Sequence, residues 1–571
     1  ESGFMKRFLS ILLSVTLLMC SLAIPAALAE ELPYYEMQVF SQNANFAGLQ
    51  SGWFGKLIKD RFNIGLNIIA TNLEGGSSKL ATMMVDGDLG DLLNFDSVTS
   101  QDFLDARDLG LMYNMNEGDF LEKNAPFITA NMPKLIERAK MQYSGDGESV
   151  WAFVHDALVT DLPCISTDCV TPLLRYDLYK AVGSPEINTM WDYLPVLKQM
   201  QELYPTNEEG QPVYGVSYFP DWDSTCMVLA TWFCMYYGYG PSLVMQHGTK
   251  DLTMELLDKE SYYMQGVRWL YEANQMGLLD PDSITQSYSE FLSKCAAGRV
   301  LFSPTGDNGY NTPENTSAGR AMEPVPMKDG APLGWGASEY GGYRSFGIGA
   351  KAKYPERVMQ FIDWLCTDEG AMESRIGPKG LIWDYNEEGK PYLTEFGLQC
   401  VQDGSTPIPD EWGGGTYQDG MFKLEYPPRN AKNMTASTGE TIDYHSWSSY
   451  QALPADPVTE EWRKDYGYAN IFDWAYANGT LVNSSNTTYS GLANLENPDL
   501  DMQMKISQIG DAVKQYSWKM AYAENDEQFD SLYNEMMEKV RGFGYEEAME
   551  FYRVQTEQLY ETRDRLVGGG N

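Results

Sequence analysis

The sequence predicts an α/β fold in which parallel strands alternate with helices in a doubly wound sheet. After residue 33, short apolar runs alternate with amphipathic segments, and polar links of a few residues join them. The apolar runs span residues 34–40, 65–70 and 91–95, and the amphipathic segments span residues 53–61 and 77–85. Strands separated by helices usually pair in parallel with the helices on the sheet faces, so this order favours a parallel sheet.

Two later segments are predicted as helices from the spacing of their apolar residues. The first spans 355–366 and begins with proline, which suits a first helical turn. Its apolar residues recur at helical spacing and predict one core-facing stripe: Val358, Phe361, Ile362 and Leu365. A similar stripe lies in the C-terminal region 500–566: Phe529, Leu532, Tyr533, Met536 and Val540.

Length and charge limit the classes of partner. The 571 residues, 43% of them hydrophobic, are enough for two large lobes or several domains. A formal net charge of −39 disfavours nucleic acid and anionic membranes, because phosphates would be repelled. The charge suits an exported protein with a neutral or cationic ligand, although a need for solubility explains it equally well.

Residues 5–29 have the pattern of a secretory signal. Two basic residues precede a short apolar run, and the sequence Ala-Leu-Ala precedes Glu30. We therefore expect cleavage after Ala29 and assign 1–29 to a signal peptide. A transmembrane anchor is disfavoured because the run is short and Pro25 interrupts it.

Cysteine and histidine spacing gives no metal site or catalytic motif. The cysteines after residue 29 are scattered and contain no C-x-x-C, so neither zinc nor a disulfide framework is predicted. Cys164 and Cys169 are close enough for a small-loop bridge, and their disulfide state stays open. The three histidines lack paired spacing, and nucleophile-elbow and phosphate-loop motifs are absent. We predict no cofactor, no metal and no catalytic residue, although sequence cannot reveal a glycosidase carboxylate pair.

Six phrases in chain order resemble one protein family. They are MMVDGDLGDLL at 83–93, LLRYDLYKAVG at 173–183, GLLDPDS at 277–283, GRVLF at 298–302, YPERVMQFIDWL at 354–365 and GPKGLIWDYNEEGKP at 377–391. In these phrases the chain resembles the extracellular solute-binding proteins of bacterial ABC importers, specifically the carbohydrate-binding group (family 1 and its longer lipoprotein-like relatives).

The resemblance implies a two-lobed, type II periplasmic-binding-protein-like fold. Each lobe would be a doubly wound sheet with flanking helices, and a C-terminal helical extension would follow. Lobe 1 is expected to contain 30–154 and 302–342, and lobe 2 to contain 155–301 and 343–571. Such lobes close around a ligand that contacts both.

The resemblance also implies a carbohydrate ligand, most simply an oligosaccharide, and the membrane subunits of an ABC permease as partner. The protein would be a monomer that does not bind nucleic acid and works extracellularly or at the cell surface. Lipid attachment at Cys20 would replace secretion, but Met19 stands where a small residue is expected. The sequence is also compatible with a peptide or other polar solute as ligand, with a sensor kinase as partner, and with a secreted carbohydrate-active enzyme.

Candidate ligand residues follow from the chemistry of sugars. Aromatic rings cover the apolar face of a sugar, and Asp, Asn or Arg side chains satisfy its hydroxyls. The residues expected to bind ligand are Asn45 and Asp96 at strand ends, Trp222 before a helix, Asp307 beyond strand 300–302, Trp335, Tyr340 and Arg344 on a Gly-rich loop, and Trp383. Helix capping explains the first two equally well, and ordinary packing explains Trp222 and Trp383 equally well.

One polar loop could be mistaken for a calcium site. Residues 205–212 lie where some alginate-binding relatives of the resembled family carry an EF-hand-like calcium loop. This loop lacks the alternating Asp and Asn ligands that calcium needs, so a polar turn is predicted.

Overall fold

The computed structural model describes residues 33–44, 46–73, 76–160, 162, 169–334, 338–424, 427–483, 495 and 498–568. The predicted signal peptide, Cys20 and Cys164 therefore lie outside the described residues. Within the described part of the chain, none of the helices has both the length and the apolar composition needed to cross a membrane.

The strands, in chain order, are β1 (Tyr35–Ser41), β2 (Gly48–Leu49), β3 (Ile64–Ala70), β4 (Leu92–Asn94), β5 (Ala152–Val154), β6 (Leu173–Arg175), β7 (Tyr239–Gly240), β8 (Val244–His247), β9 (Thr253–Glu255), β10 (Phe302–Ser303), β11 (Met322–Pro324), β12 (Leu333–Gly334), β13 (Ser345–Ile348), β14 (Trp383–Tyr385), β15 (Pro391–Leu393) and β16 (Val482–Asn483).

The α-helices, in chain order, are α1 (Gly52–Phe62), α2 (Gly76–Asp86), α3 (Gln101–Asp108), α4 (Phe120–Asn124), α5 (Pro126–Asn131), α6 (Pro133–Arg138), α7 (Tyr176–Ala181), α8 (Tyr193–Leu203), α9 (Val228–Tyr236), α10 (Tyr262–Gln275), α11 (Tyr288–Ala296), α12 (Pro313–Ser317), α13 (Pro355–Cys366), α14 (Asp368–Arg375), α15 (Glu395–Gln402), α16 (Ser448–Gln451), α17 (Pro457–Tyr466), α18 (Ile471–Ala477), α19 (Leu500–Ala521), α20 (Asp526–Gly542) and α21 (Tyr545–Gly568).

The chain divides into two compact units. Unit 1 comprises Glu1–Ile165 and Ala337–Ala452, and unit 2 comprises Ser166–Gly336 and Leu453–Asn571. This division differs from the predicted lobe boundaries. Residues 345–348, expected in lobe 2, form β13, which pairs with β4 and β5 of unit 1. Residues 302–303, expected in lobe 1, form β10, which pairs with β6 of unit 2.

Unit 1 is built on a six-stranded sheet in the order β2-β3-β1-β4-β13-β5. β1 pairs in parallel with both β3 and β4, so Val39 lies opposite Ile68 on one side and Leu92 on the other. β13 runs antiparallel to β4 and to β5. It follows that β1, β3, β4 and β5 share one direction, and the predicted parallel core is confirmed.

Apolar periodicity explains the core of unit 1. Alternate residues of β1, including Met37 and Val39, are fully buried. On α13 the predicted stripe is confirmed, because its four residues have no exposed surface. These strand and helix residues belong to one hydrophobic cluster. Burial of this apolar surface is the main favourable term in folding and fixes the sheet that carries the candidate site.

Unit 2 contains shorter strands and more helix. β6 pairs antiparallel with β10 and β11, and β7, β8 and β9 form a second sheet. α10 packs closely on α9 at Gly266, where a β-carbon would lie 2.9 Å from the carbonyl oxygen of Ala230. The predicted C-terminal helices are confirmed as α19–α21. The hydroxyl of Tyr533 on α20 donates a hydrogen bond to the carbonyl of Leu257, 2.9 Å away.

Candidate functional site

Several polar side chains of unit 1 lie close together at the carboxyl edge of its sheet. Because β1, β4 and β5 share one direction, their carboxyl ends meet at the edge where antiparallel β13 begins. We call this surface the polar edge and define it by seven residues: Gln42, Asn43, Asp96, His155, Asp156, Tyr343 and Arg344. Ligands of open α/β sheets bind outside the carboxyl ends of the strands, which makes this edge the first candidate site.

Arg344 is at the centre of the polar edge. Its Nε donates to Oδ1 of Asn43 at 3.1 Å and lies 3.5 Å from Oδ1 of Asp96. Its guanidinium carbon is 5.1 Å from the ring centroid of Tyr343, a side chain that is 50% exposed. A cation, an amide, a carboxylate and an aromatic ring therefore meet within one small surface.

Buried polar groups behind this surface hold its backbone. The hydroxyl of Ser41 donates to Oδ1 of Asn94 at 2.8 Å and accepts the amide hydrogens of Asn43 and Ala44, each at 3.0 Å. Nδ2 of Asn94 donates to the carbonyl of Ser345 at 2.8 Å. Ser41 and Asn94 lie at the ends of β1 and β4, where the sequence pattern predicts only apolar strands, and no motif marks them.

A second group of charges lies where β5 ends. Asp156 has a φ of +54°, in the left-handed region that residues other than glycine seldom adopt. Its Oδ1 lies 3.4 Å from Nη2 of Arg375, which also donates to the carbonyl of Arg429 at 2.7 Å. Burial raises the pKa of Asp156, and Arg375 opposes that rise. Burial, followed by the charge of Arg344, lowers the pKa of His155 to about 4.

Unit 2 has its own carboxyl edge with exposed aromatic rings. Parallel bridges join Tyr214 to Val300 and Val216 to Leu279, so the chain segments that follow these residues leave at one edge. Trp222, 48% exposed, packs against Tyr288 at a centroid distance of 4.7 Å. A carboxylate oxygen of Asp221 accepts the amide hydrogen of Tyr288 at 2.8 Å and fixes this pair.

The predicted site residues fall into different environments. The structure brings Asp96 and Arg344 together on the polar edge of unit 1. Trp222 and Asp307 follow strand segments of unit 2, and Oδ2 of Asp307 accepts the amide hydrogen of Asn311 at 2.9 Å. The predictions for two others, Asn45 and Trp335, concern positions outside the described residues.

Two predicted ligand residues are buried in unit 1. The indole of Trp383 has no exposed surface, and its Nε1 donates to the carbonyl of Gly377 at 2.8 Å. Tyr340 is 6% exposed, and Nζ of Lys134 lies 5.3 Å from its ring centroid. Neither side chain offers a ligand a face in this structure, because protein atoms already cover both rings. Trp383 is therefore a core residue.

The loop 205–212, predicted as a polar turn, is stabilised by an asparagine side chain. In the part of the chain that the structure describes, no group of three or more His, Cys, Asp or Glu side chains is arranged to hold a metal ion. In the loop 205–212, Oδ1 of Asn207 accepts the amide hydrogens of Glu209 and Gln211 at 3.2 and 2.8 Å. Its Nδ2 donates to the carbonyl of Ala297 at 3.0 Å. This side chain therefore stabilises a polar turn.

Comparison with known proteins identifies the fold. No protein-family model and no curated protein matches this sequence. Among solved structures, the chain is similar to an S. pneumoniae ABC-transporter substrate binding protein, FusA EF-hand mutant in complex with fructo-nystose, at 12% identity over 92% of this chain and 99% of that chain, with a TM-score of 0.58.

Two further solved structures are similar to this chain over almost its full length. The alginate-binding protein AlgQ2 without calcium ion has 13% identity over 93% of this chain and 98% of that chain, with a TM-score of 0.54. An HMO binding ABC-transporter associated solute binding protein from Bifidobacterium longum infantis has 12% identity over 92% and 98% of the two chains, with a TM-score of 0.54. The predicted type II periplasmic-binding-protein-like fold is confirmed, including the C-terminal helical region.

Proposed function

We propose that this protein is an exported solute-binding protein that captures an uncharged carbohydrate and delivers it to an ABC importer. The observation that carries the proposal is the polar edge of unit 1, where Asn43, Asp96, Tyr343 and Arg344 meet. The fold supports it, since proteins with this fold include ones described as binding alginate, HMO and fructo-nystose. An oligosaccharide is the simplest ligand of this class.

The chemistry of the polar edge suits a sugar. The Arg344 guanidinium can only donate hydrogen bonds, the Asp96 carboxylate can only accept them, and the Asn43 amide does both. A pair of neighbouring sugar hydroxyls can accept from the first and donate to the second. The half-exposed ring of Tyr343 provides an apolar face for the C–H side of a sugar ring. Trp222 and Tyr288 provide an aromatic surface of the same kind in unit 2.

The balance of charge at the polar edge favours an uncharged sugar. The cation Arg344 has Asp96 beside it, and the cation Arg375 has Asp156 beside it. An anionic sugar would be attracted by each arginine and repelled by the carboxylate next to it, so little net attraction would remain. The formal net charge of −39 adds a general repulsion towards anions.

Binding rather than catalysis is the activity we propose. Transport also requires export and docking, and for these the support is the leader pattern at 5–29 and the fold. Delivery to the permease as a monomer, and closure of the two lobes around the sugar, stay predictions. Binding of a peptide or another polar solute is a possible outcome of the titration below.

The test is a calorimetric titration against three panels: neutral oligosaccharides, uronate-containing oligosaccharides and short peptides. We expect saturable binding to at least one neutral oligosaccharide, and weaker or no binding to the other panels. Arg344→Ala should weaken that binding, whereas Lys123→Ala, which removes an exposed cation on α4, should leave it unchanged. Binding only to peptides or uronates would contradict the proposal. Release of new reducing ends during incubation would instead favour an enzyme.

A further inference from the structure

We propose that His155 is a positioning residue for the polar edge, and that its neutral imidazole holds Tyr343 and Arg344 in the conformation that meets ligand. Protonation of the imidazole would release this segment. The ligand role of the segment rests on the proposed function, but the positioning role does not.

The imidazole accepts two hydrogen bonds from consecutive backbone amides. Nδ1 of His155 is 3.2 Å from the amide nitrogen of Tyr343 and 3.0 Å from that of Arg344. The main chain of His155 pairs with the same segment, since its amide donates to the carbonyl of Arg344 at 3.0 Å and its carbonyl accepts from Gly342 at 2.7 Å. The ring is 5% exposed and stands nearly perpendicular to the ring of Tyr343.

This arrangement requires one protonation state. Two N–H donors pointing at Nδ1 need a lone pair there, so the proton of the neutral ring lies on Nε2. Nε2 is also the nitrogen that lies near Asp156, with 3.7 Å to its Oδ2. In the imidazolium, Nδ1 carries a hydrogen that would point at the amides of Tyr343 and Arg344. Both hydrogen bonds would then be lost, and the donors would face a third donor.

The turn 340–342, which precedes this segment, is stabilised by a second buried side chain. Nη1 of Arg138, a buried residue, donates to the carbonyls of Tyr340 and Gly341 at 2.8 Å each, and also to that of Gly342. A β-carbon at Gly342 would lie 2.1 Å from Cε1 of His155, so only glycine allows the imidazole to approach. The buried guanidinium of Arg138 therefore donates to the carbonyls of the turn, and the buried imidazole of His155 accepts from the two amides that follow.

Burial, followed by the charges around it, keeps His155 neutral near pH 7. Three cations face it, and each lowers its pKa: Arg344 from the segment it pairs with, Arg138 from α6 and Arg375 from α14. Asp156 is an anionic group nearby. Burial is the largest cause, a backbone hydrogen bond with Arg344 acts in the opposite direction, and the pKa falls from the ordinary 6.5 to about 4. The neutral imidazole of His155 therefore contributes its full stabilisation of the folded state above pH 6.5. That stabilisation is lost as the pH falls from 6.5 towards 4.

Hydrogen exchange of single amides tests the proposal without any ligand. The protection factors of the Tyr343 and Arg344 amides would be measured by NMR between pH 7 and pH 4, with the amides of β3 as a control for global stability. In the wild type we expect strong protection at pH 7 that falls at least ten-fold towards pH 4, ahead of β3. His155→Leu, which removes the acceptor, should lack this protection at every pH. His155→Asn, whose amide oxygen stands near the position of Nδ1, should restore it and remove its pH dependence.

Two results would overturn the proposal. The first is a folded His155→Leu variant whose Tyr343 and Arg344 amides stay as protected as in the wild type. The second is a wild-type imidazole whose ¹⁵N chemical shifts place the neutral proton on Nδ1, and this measurement remains informative if the leucine variant does not fold. Because neither readout involves sugar, absence of carbohydrate binding would contradict the proposed function and leave the positioning role standing.

Discussion

Replacing Trp383 with alanine should destabilise the protein without touching a ligand surface. The indole is fully buried and its Nε1 donates to Gly377. A buried aromatic side chain of about 150–250 Å² at about 25 cal/mol per Å² contributes roughly 4–6 kcal/mol, an upper estimate because the unfolded chain is not fully extended. Measured losses for Trp→Ala in cores are about 3–5 kcal/mol, and we expect that range for the free energy of unfolding.

Urea denaturation followed by circular dichroism measures this loss as a lower midpoint. Trp383→Phe serves as the matched control, because it retains much of the buried ring and should lose less stability. If Trp383→Ala kept the wild-type midpoint but no longer bound sugar, the indole would be a ligand residue. That result would refute the reasoning from burial and restore the prediction made from the sequence.

Three further predictions concern the two edges and the pH dependence of stability. Arg344→Ala should raise the Kd for a bound neutral oligosaccharide roughly 10- to 100-fold, because a hydrogen bond from a charged group contributes about 1.5–3 kcal/mol. An unchanged Kd in calorimetry would contradict the placement of the ligand site at the polar edge. Trp222→Ala should weaken binding about ten-fold through loss of aromatic contact, while the control Trp191→Ala, also an exposed tryptophan of unit 2, should bind normally. Burial raises the pKa of Glu323 to about 7, so its native carboxyl favours the neutral form and stability falls as pH rises from 4.5 to about 7. Glu323→Gln should therefore be more stable than wild type by roughly 1–3 kcal/mol at about pH 8, with little difference at about pH 4, and equal unfolding midpoints at both pH values would disprove this.

Much of the fold could be predicted because its signals are local. The stripe on α13 and the alternation of strands and helices after residue 33 depend only on neighbouring residues, and both are confirmed. The segment 173–182 shows the limit. There Leu173–Arg175 forms a strand between β10 and β11, and that pairing involves residues more than a hundred positions away, so no local pattern specifies it. Lobe boundaries depend on the same kind of distant pairing.

Two residues of the candidate site can be predicted from the sequence, one at a strand end and one on a Gly-rich loop. The sequence predicts Asp96 and Arg344 as ligand residues, and the structure brings them together because β4 ends beside the start of β13. Trp222 lies between two aspartates, whereas Trp383 follows Leu381 and Ile382 and precedes Asp384, and such short contexts do not establish which ring is buried. Only the tertiary fold separates them, at 48% and 0% exposure. His155 had no motif, since its role depends on backbone amides rather than on another side chain.

The most direct test of the central claim is a crystal structure of the protein with the neutral oligosaccharide that binds most tightly in the panel. We predict that sugar hydroxyls lie about 3 Å from the side chains of Asn43, Asp96 and Arg344, at hydrogen-bonding distance. A well-ordered sugar bound elsewhere, with these three side chains exposed only to water, would contradict the account.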